Sequence, residues 1–587
     1  MISYKNRRFK GVIIITIISI VLIVILAEYR RTRAFVADDI PQITFSRESG
    51  FYNDDFDLSI YTSKGDIYYT LDGTTPTCES IKYEGPIHLS DASQNENVYS
   101  MREDVSTGFY ENLIEEYAVY EAPGYKAPDF KIDKCNVVRA VVYYGNGKYS
   151  EVKTGSFFVG FDNKDGYKDM NYISIVTDPD NLFDYNDGIY VTGAAFDDYL
   201  ANVLPLREDW NYGAWYYWRG NYTKGYAFEK EASCQFFDSE GNLLLSQRCG
   251  INIHGDGSRG FNPRSLNLKA RDSYYGHYDH FMYNFFGGSY YPRSVMLTQG
   301  GDDYETKFRD SFMSQMTENL NVATMDMVPY VLFLDGEYWG VYWLSERYDE
   351  QYLQYHFSVQ PNNILMMKNY VLEIGEETDE QLFWDMFDFV TNSDLNDPVN
   401  YERLEKTIDI DSFVDYFASF ICTGRNGDWP IKNVALWRTK NPGSGKYDDC
   451  RWRWMIFDAN SLGMTDNMAL TDSIGNALHE PIFNGIMTCD KVREKLLDRI
   501  TELYYDRFTM DHVEGKFTEF RELMDEPMRK NNERFFGADS YDRYVEHLDS
   551  IHKFFERRGE YIDEMVKEYR GKRIEFNSDN LINAQLQ

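Results

Sequence analysis

Asp428 is followed after four residues by Asn433, and the apolar run Trp452 to Phe457 then delivers a second acid, Asp458, where a strand would end. The spacing Asp-x-x-x-x-Asn with a later strand-terminal Asp is that of phosphoryl-transfer enzymes of the protein-kinase type. In such a set the first carboxylate, kept off the metal, accepts the proton of a substrate hydroxyl. The amide and the second acid hold Mg²⁺, which prefers hard oxygen ligands, against the phosphates of ATP. Asp428 is therefore the candidate catalytic base, and Asn433 and Asp458 are the candidate metal ligands. In a chain with 95 acidic residues this spacing also arises by chance, and an Asp at a strand end is often a turn former. The assignment depends on the elements that surround it.

Upstream, Gly255, Gly257 and Gly260 spell G-x-G-x-x-G. A dinucleotide-binding fingerprint would open a helix, whereas here a strand, Ser265 to Ala270, is expected to follow; strand, glycine loop and strand suit a kinase-type loop over ATP phosphates. Arg259, Arg264 and Lys269 supply cations beside the loop, and Glu346 ends a later strand. The candidate nucleotide-binding residues are thus Gly255, Gly257, Arg259, Gly260, Arg264, Lys269 and Glu346. The plain alternative is a hairpin with solvated basic residues. A Lys–Glu ion pair of the kinase type has several candidates: Lys269 or Arg264 on one side, and Glu305, Glu318 or Glu346 on the other. Ser258 is no nucleophile elbow because Asp256 stands where Gly is required, and GSGK at Gly443 to Lys446 lacks the upstream Gly of a phosphate-binding P-loop.

The elements that position these residues follow from periodicity. Phe308, Phe312, Met316 and Leu320 fall on one helical face. MVPYVLFLDGEYWGVYWLSE reads as two strands joined by a tight turn at Asp335-Gly336. After Leu404 helices dominate: Val492, Leu496, Ile500 and Leu503 share a face, as do Val513, Phe517, Phe520 and Met524, and a last helix spans about Tyr541 to Tyr569. A strand-rich half precedes a helix-rich half, with the Asp428 motif opening the second.

Residues 11–27 form an uncharged apolar run just long enough to span a membrane. Lys5, Arg7, Arg8 and Lys10 precede it, which places residues 1–10 in the cytoplasm and the rest outside. The expectation is a single-pass signal anchor and a cell-surface, extracytoplasmic chain; cleavage of a signal peptide would instead secrete it. A linker, 28–40, leads to strands and turns over 41–160 that read as a β-sandwich, with an insertion at 92–130. The formal net charge of −35 argues against nucleic acid as a partner. Seven cysteines contain no C-x-x-C pair. Cys234 with Cys249, or Cys422 with Cys450, are pairs that a bridge could join, and isolated buried thiols are the alternative. The nine His form no H-E-x-x-H, which disfavours a metal-dependent hydrolase.

Taken together, GINIHGDGSRGFNPRSLNLKAR, FRDSFMSQM, LFLDGEYWGVYWLSERYDEQYL, NGDWPIKNVALWR and WRWMIFDANSLGM resemble the spore-coat protein H (CotH) kinase family from about residue 172 to 530. IYYTLDGTTPT with YEGPIHLS and VVRAVVYYGNGKYSEV resembles the immunoglobulin-like module at the end of chitobiases, for which the roles expected are spacing from the membrane or contact with cell-wall glycan. The resemblance implies an α+β fold: an atypical, two-lobed protein-kinase-like domain over 172–572 with a tail at 573–587, preceded by the sandwich and one transmembrane helix. It implies phosphorylation of Ser and Thr on secreted or surface proteins with ATP and Mg²⁺ or Mn²⁺, through Asp428, Asn433 and Asp458. Two departures stand out, Arg264-Ser265 where the family usually has Lys-Ser, and an extra loop at about Asn441 to Cys450. The rival is a non-catalytic adhesion or glycan-binding protein on a kinase-like scaffold.

Overall fold

The computed structural model describes residues 40–106, 125–161, 164–203, 219–272, 278–424, 429–430, 432–463 and 471–579. The apolar run 11–27 and Asp428 lie outside them. Among the described residues no helix is long and apolar enough to cross a membrane.

The N-terminal module is β-rich, as expected. A five-stranded sheet runs β2 (Gly50–Tyr52), β9 (Lys153–Val159), β8 (Asn136–Tyr143), β5 (Asp66–Thr70), β6 (Ile81–Lys82). Two short pairs accompany it, β1 (Thr44–Phe45) with β4 (Ile60–Tyr61) and β3 (Phe56–Leu58) with β7 (Ile87–Leu89). Along β8, Val138, Ala140 and Val142 enter the module's own core, while Val137 on the opposite face joins the core of the following domain. A strand buried on both faces reads as a continuous apolar run, and that burial marks a fused boundary. Phe158 meets Phe237 and Phe333 edge-on, with ring centroids 5.3 and 5.0 Å apart. Cys135 N–H donates to Gly336 O at 2.9 Å, and Tyr338 N–H to Asp133 O at 3.0 Å. The buried Glu337 carboxylate accepts the N–H groups of Val98 and Ser100. The module is therefore seated flush on the next domain.

The strand-rich half closes on itself. Its order is β10 (Asn171–Val176), β11 (Lys230–Phe237), β12 (Leu243–Ile253), β13 (Leu266–Lys269), β14 (Ser294–Thr298), β16 (Glu337–Ser345), β15 (Met327–Leu334), and β15 returns to β10. The β10–β15 pair is parallel and the others are antiparallel. Closure leaves no sheet edge to protect. Ile251, Leu266, Leu268, Val295, Leu297 and Leu344 point into the barrel core, so the alternate residues of the same strands face outward. The expected turn at Asp335-Gly336 joins β15 to β16.

The helix expected around Phe308 is α1 (Arg309–Thr317), which ends before Leu320. Beyond it, α2 (Glu350–Phe357) leads to a second sheet whose first two strands the sequence reading did not anticipate. Its order is β18 (Val371–Ile374), β17 (Ile364–Lys368), β19 (Ala435–Thr439), β20 (Arg453–Met455). Helices α3 (Gln381–Asn392), α4 (Pro398–Thr407), α5 (Ile410–Thr423), α6 (Asp490–Leu503), α7 (Met510–Phe536) and α8 (Ser540–Tyr569) complete the chain. Their periodic apolar faces form one continuous core with the underside of this sheet.

Candidate active site

Strand register brings the two candidate metal ligands together. Lys368 at the end of β17 pairs with Ala435 at the start of β19, and Ala435 pairs with Met455 at the end of β20. Asn433, just before β19, and Asp458, just after β20, consequently emerge at the same end of the sheet. Both take left-handed backbone conformations, with φ of 60° and 52°. Asn and Asp tolerate that region better than most side chains.

Each flank is tied down. Tyr416 on α5 accepts from Trp429 Nε1 at 3.1 Å and donates to Asn433 O at 3.4 Å, bracketing the loop between them. The N–H of Ala459 donates to Asp310 Oδ1 at 2.7 Å, and Arg309 Nε donates to Leu462 O at 2.8 Å, so the first turn of α1 grips the turn that follows Asp458. Arg309 is itself held by Asp303. A Cβ at Gly301 would collide with the Asn460 side chain, so this approach requires glycine. Gly463 N–H donates to Thr423 O at 2.9 Å, which joins the end of α5 to the same turn. Asp428 itself lies outside the described residues.

Lys368, at this end of the sheet, is close enough for its charge to act on His254, which follows β12 of the barrel. Across β12, β13, β14 and β16 runs one row of partners, Asn252, Asn267, Met296 and Ser345, and two residues along it lies the row Gly250, Lys269 and Ser294. Asn252 Oδ1 and Ser345 Oγ are buried with no hydrogen-bond partner among the described residues, while Asn267 lies within hydrogen-bonding reach of the His254 ring. Leaving a buried polar atom unpaired is costly, and two in one row are what a polar ligand would satisfy.

The charge around the row is largely positive. Burial pulls Lys269 down to about 8, against the opposing pull of the Glu229 carboxylate. Burial, then the cations of Lys368, Arg347 and Arg259, hold the His254 imidazole well below its ordinary value. Burial also lowers Lys368, whose Nζ sits 3.9 Å from the centre of the Phe457 ring; the carboxylates of Glu373 and Asp458 oppose this. Lys368 was not anticipated from the sequence.

The partner of Lys269 is none of the acids considered above. Its Nζ lies 3.4 Å from Glu229, which also holds Arg271 at 2.8 Å. Gly250, directly opposite Lys269, makes this possible, since a Cβ there would collide with the Glu229 carboxylate. Glu305 instead pairs with Arg543 and His547 on α8. Glu346 is fully buried, accepting the N–H of Asp326 at 2.9 Å and lying 2.7 Å from His356 Nε2. Burial, then the neighbouring Glu346, push Asp326 up to about 6.

Gly257 and Gly260 bound a single 3-10 turn, and Gly255 enters it with φ of 112°. Arg259 donates to Thr223 O at 2.9 Å. Arg264 is wholly buried: its guanidinium donates to Arg259 O, Asn262 Oδ1 and Val105 O, each at 2.8 Å, and lies over Tyr222 and Tyr190. A planar five-donor fork suits that post, and an ammonium could not fill it. The extra loop, 441–450, sits at the opposite end of the β19–β20 hairpin, away from Asn433 and Asp458.

Among the described residues no group of three or more His, Cys, Asp or Glu could hold a metal. Two protein oxygens from Asn433 and Asp458 nevertheless fit Mg²⁺, which keeps water and phosphate oxygens for its remaining positions.

No match to the chain is found among curated proteins. The family model described as Fn3 associated matches residues 56–157, covering most of the N-terminal module. The model described as CotH kinase protein matches residues 251–562, from the barrel's glycine turn to the last helix and including Asn433 and Asp458. That match covers more than half of the chain, and the chain belongs to the CotH kinase family.

Proposed function

We propose that this kinase-like chain transfers the γ-phosphoryl group of ATP to Ser or Thr of secreted or surface proteins, outside the cytoplasm and with a divalent metal. The observation that carries the reading is the register from Lys368 through Ala435 to Met455, which brings Asn433 and Asp458 out at one end of the sheet. Asn433 and Asp458 would hold Mg²⁺ or Mn²⁺. When bound, the metal neutralises charge on the phosphates.

The chain's own groups account for the rest. The unpaired Asn252 and Ser345 oxygens, with Asn267 between them, offer a polar wall for the nucleotide. Lys269, steadied by Glu229, and Lys368 lie where phosphate charge would gather. Asp428 would accept the proton of the attacking hydroxyl, so that its oxygen reaches phosphorus as a better nucleophile. The acid network of Glu346, Asp326 and His356 is occupied internally and plays no part in that transfer.

The test is incubation of the purified full chain in detergent with γ-labelled ATP, with and without Mg²⁺ or Mn²⁺. Label on Ser or Thr of a surface protein, or of the chain itself, only with metal, is the expected outcome. Absence of transfer to every protein tested and to itself favours the binding-scaffold alternative.

A further inference from the structure

Cys234 on β11 and Cys249 on β12 are both inward-facing in the barrel core, and neither exposes measurable surface. The register pairs Ala232 with Cys249 and Cys234 with Gln247, so the two cysteines are diagonal neighbours on adjacent antiparallel strands. Strand twist draws one diagonal of such a pair together. Their Sγ atoms lie 2.6 Å apart, closer than two unbonded sulfurs pack. No other two cysteines stand in this relation among the described residues. Cys422 Sγ rests against Ile500 O on α6, and Cys450 Sγ against Lys440 O in the loop after β19, which separates the other pair suggested by the sequence.

We infer that Cys234 and Cys249 are joined by a disulfide across β11 and β12. The bridge rests on the extracytoplasmic reading for its oxidant and does not depend on kinase activity. Burial raises the Cys249 thiol far above its ordinary value, so in the closed barrel it is not a nucleophile. Oxidation therefore precedes closure. One thiolate attacks a small-molecule disulfide such as glutathione disulfide, giving a mixed disulfide and releasing one glutathione thiolate. The second cysteine thiolate attacks the cysteine sulfur of the mixed disulfide, forming the Cys234–Cys249 bond and releasing the other glutathione as its thiolate. Two cysteine thiols are oxidised, one glutathione disulfide is reduced, and both protons end on glutathione. The closed loop spans 15 residues, and constraining it restricts the unfolded chain.

The test refolds the full chain in detergent from denaturant, once with oxidised and reduced glutathione and once with reduced glutathione alone. Each sample is then alkylated and mapped by mass spectrometry. The oxidised sample should yield one cross-linked peptide pair containing Cys234 and Cys249, with no other intrachain bridge. It should melt about 5 °C above the reduced sample. The double variant Cys234→Ala/Cys249→Ala should melt alike in both. Seven alkylated cysteines in the oxidised sample, or a bridge between other positions, would each overturn the proposal. Phosphoryl transfer, assayed on the same samples, reports separately on the kinase reading.

Discussion

Asp310 accepts the N–H of Ala459 at 2.7 Å, one residue beyond Asp458. A carboxylate in the first turn of α1 thus sets the backbone direction of the candidate metal ligand without being a ligand itself. Asp310→Ala should weaken Mg²⁺-dependent ATP binding about tenfold, the worth of one charge-assisted hydrogen bond. Calorimetry with and without Mg²⁺ checks it, and circular dichroism separates this loss from unfolding. Unchanged affinity in a folded variant would remove α1 from the positioning of Asp458.

Asp428 and Asp458 should separate chemistry from binding. Asp428→Asn is expected to keep metal-dependent ATP affinity while cutting transfer on the order of 10²–10⁴, the usual worth of a general base. Asp458→Asn removes charge from the metal position and should lower both. Full transfer by Asp428→Asn would refute the assigned roles.

Glu229 keeps Lys269 charged. Its carboxylate raises a lysine that burial has brought to about 8, so Glu229→Gln lowers that value further. At pH 8 the variant should bind ATP several-fold more weakly than the parent, and acidification to pH 6.5 should narrow the gap as Lys269 takes up its proton. A gap independent of pH would mean that Glu229 acts by packing alone.

His254 makes an acid-stability prediction. Its folded value lies below the ordinary 6.5, so the unfolded chain binds a proton first as pH falls. The contribution is present above 6.5 and is lost on acidification toward the folded value. The parent should therefore lose more thermal stability between pH 7 and 5 than His254→Asn does. Parallel melting curves across that range would count against a neutral His254.

The fused boundary predicts that residues 164–587 alone fold poorly. Cutting there exposes Tyr172, Phe237, Phe333 and Tyr338 and strips Glu337 of its donors. The fragment should bind a hydrophobic dye and aggregate, whereas residues 40–587 should not. A monodisperse, dye-silent fragment would refute the fused boundary.

Much of this arrangement was legible in the sequence. The order of glycine turn, helix, hairpin and acid-bearing strands, and the spacing from Asn433 to Asp458, gave the architecture of the kinase-like domain, because apolar period and turn residues act locally. What escaped were pairings decided across space. Glu229 reaches Lys269 only because Gly250 lies opposite, 21 residues further along the chain. Lys368 enters through strand register, and neither leaves a local pattern. The surroundings of Arg264 escaped for the same reason, since its acceptors include Val105, 159 residues earlier.

The flush seat of the N-terminal module also has a mechanical meaning. With Phe158 wedged between Phe237 and Phe333, and Glu337 gripping Val98 and Ser100, the module acts as a bracket where a flexible arm would swing. The barrel then keeps a fixed bearing relative to the N-terminal module. Which side chains a neighbouring protein can present to it becomes a question of reach and angle, settled by where that bracket is mounted.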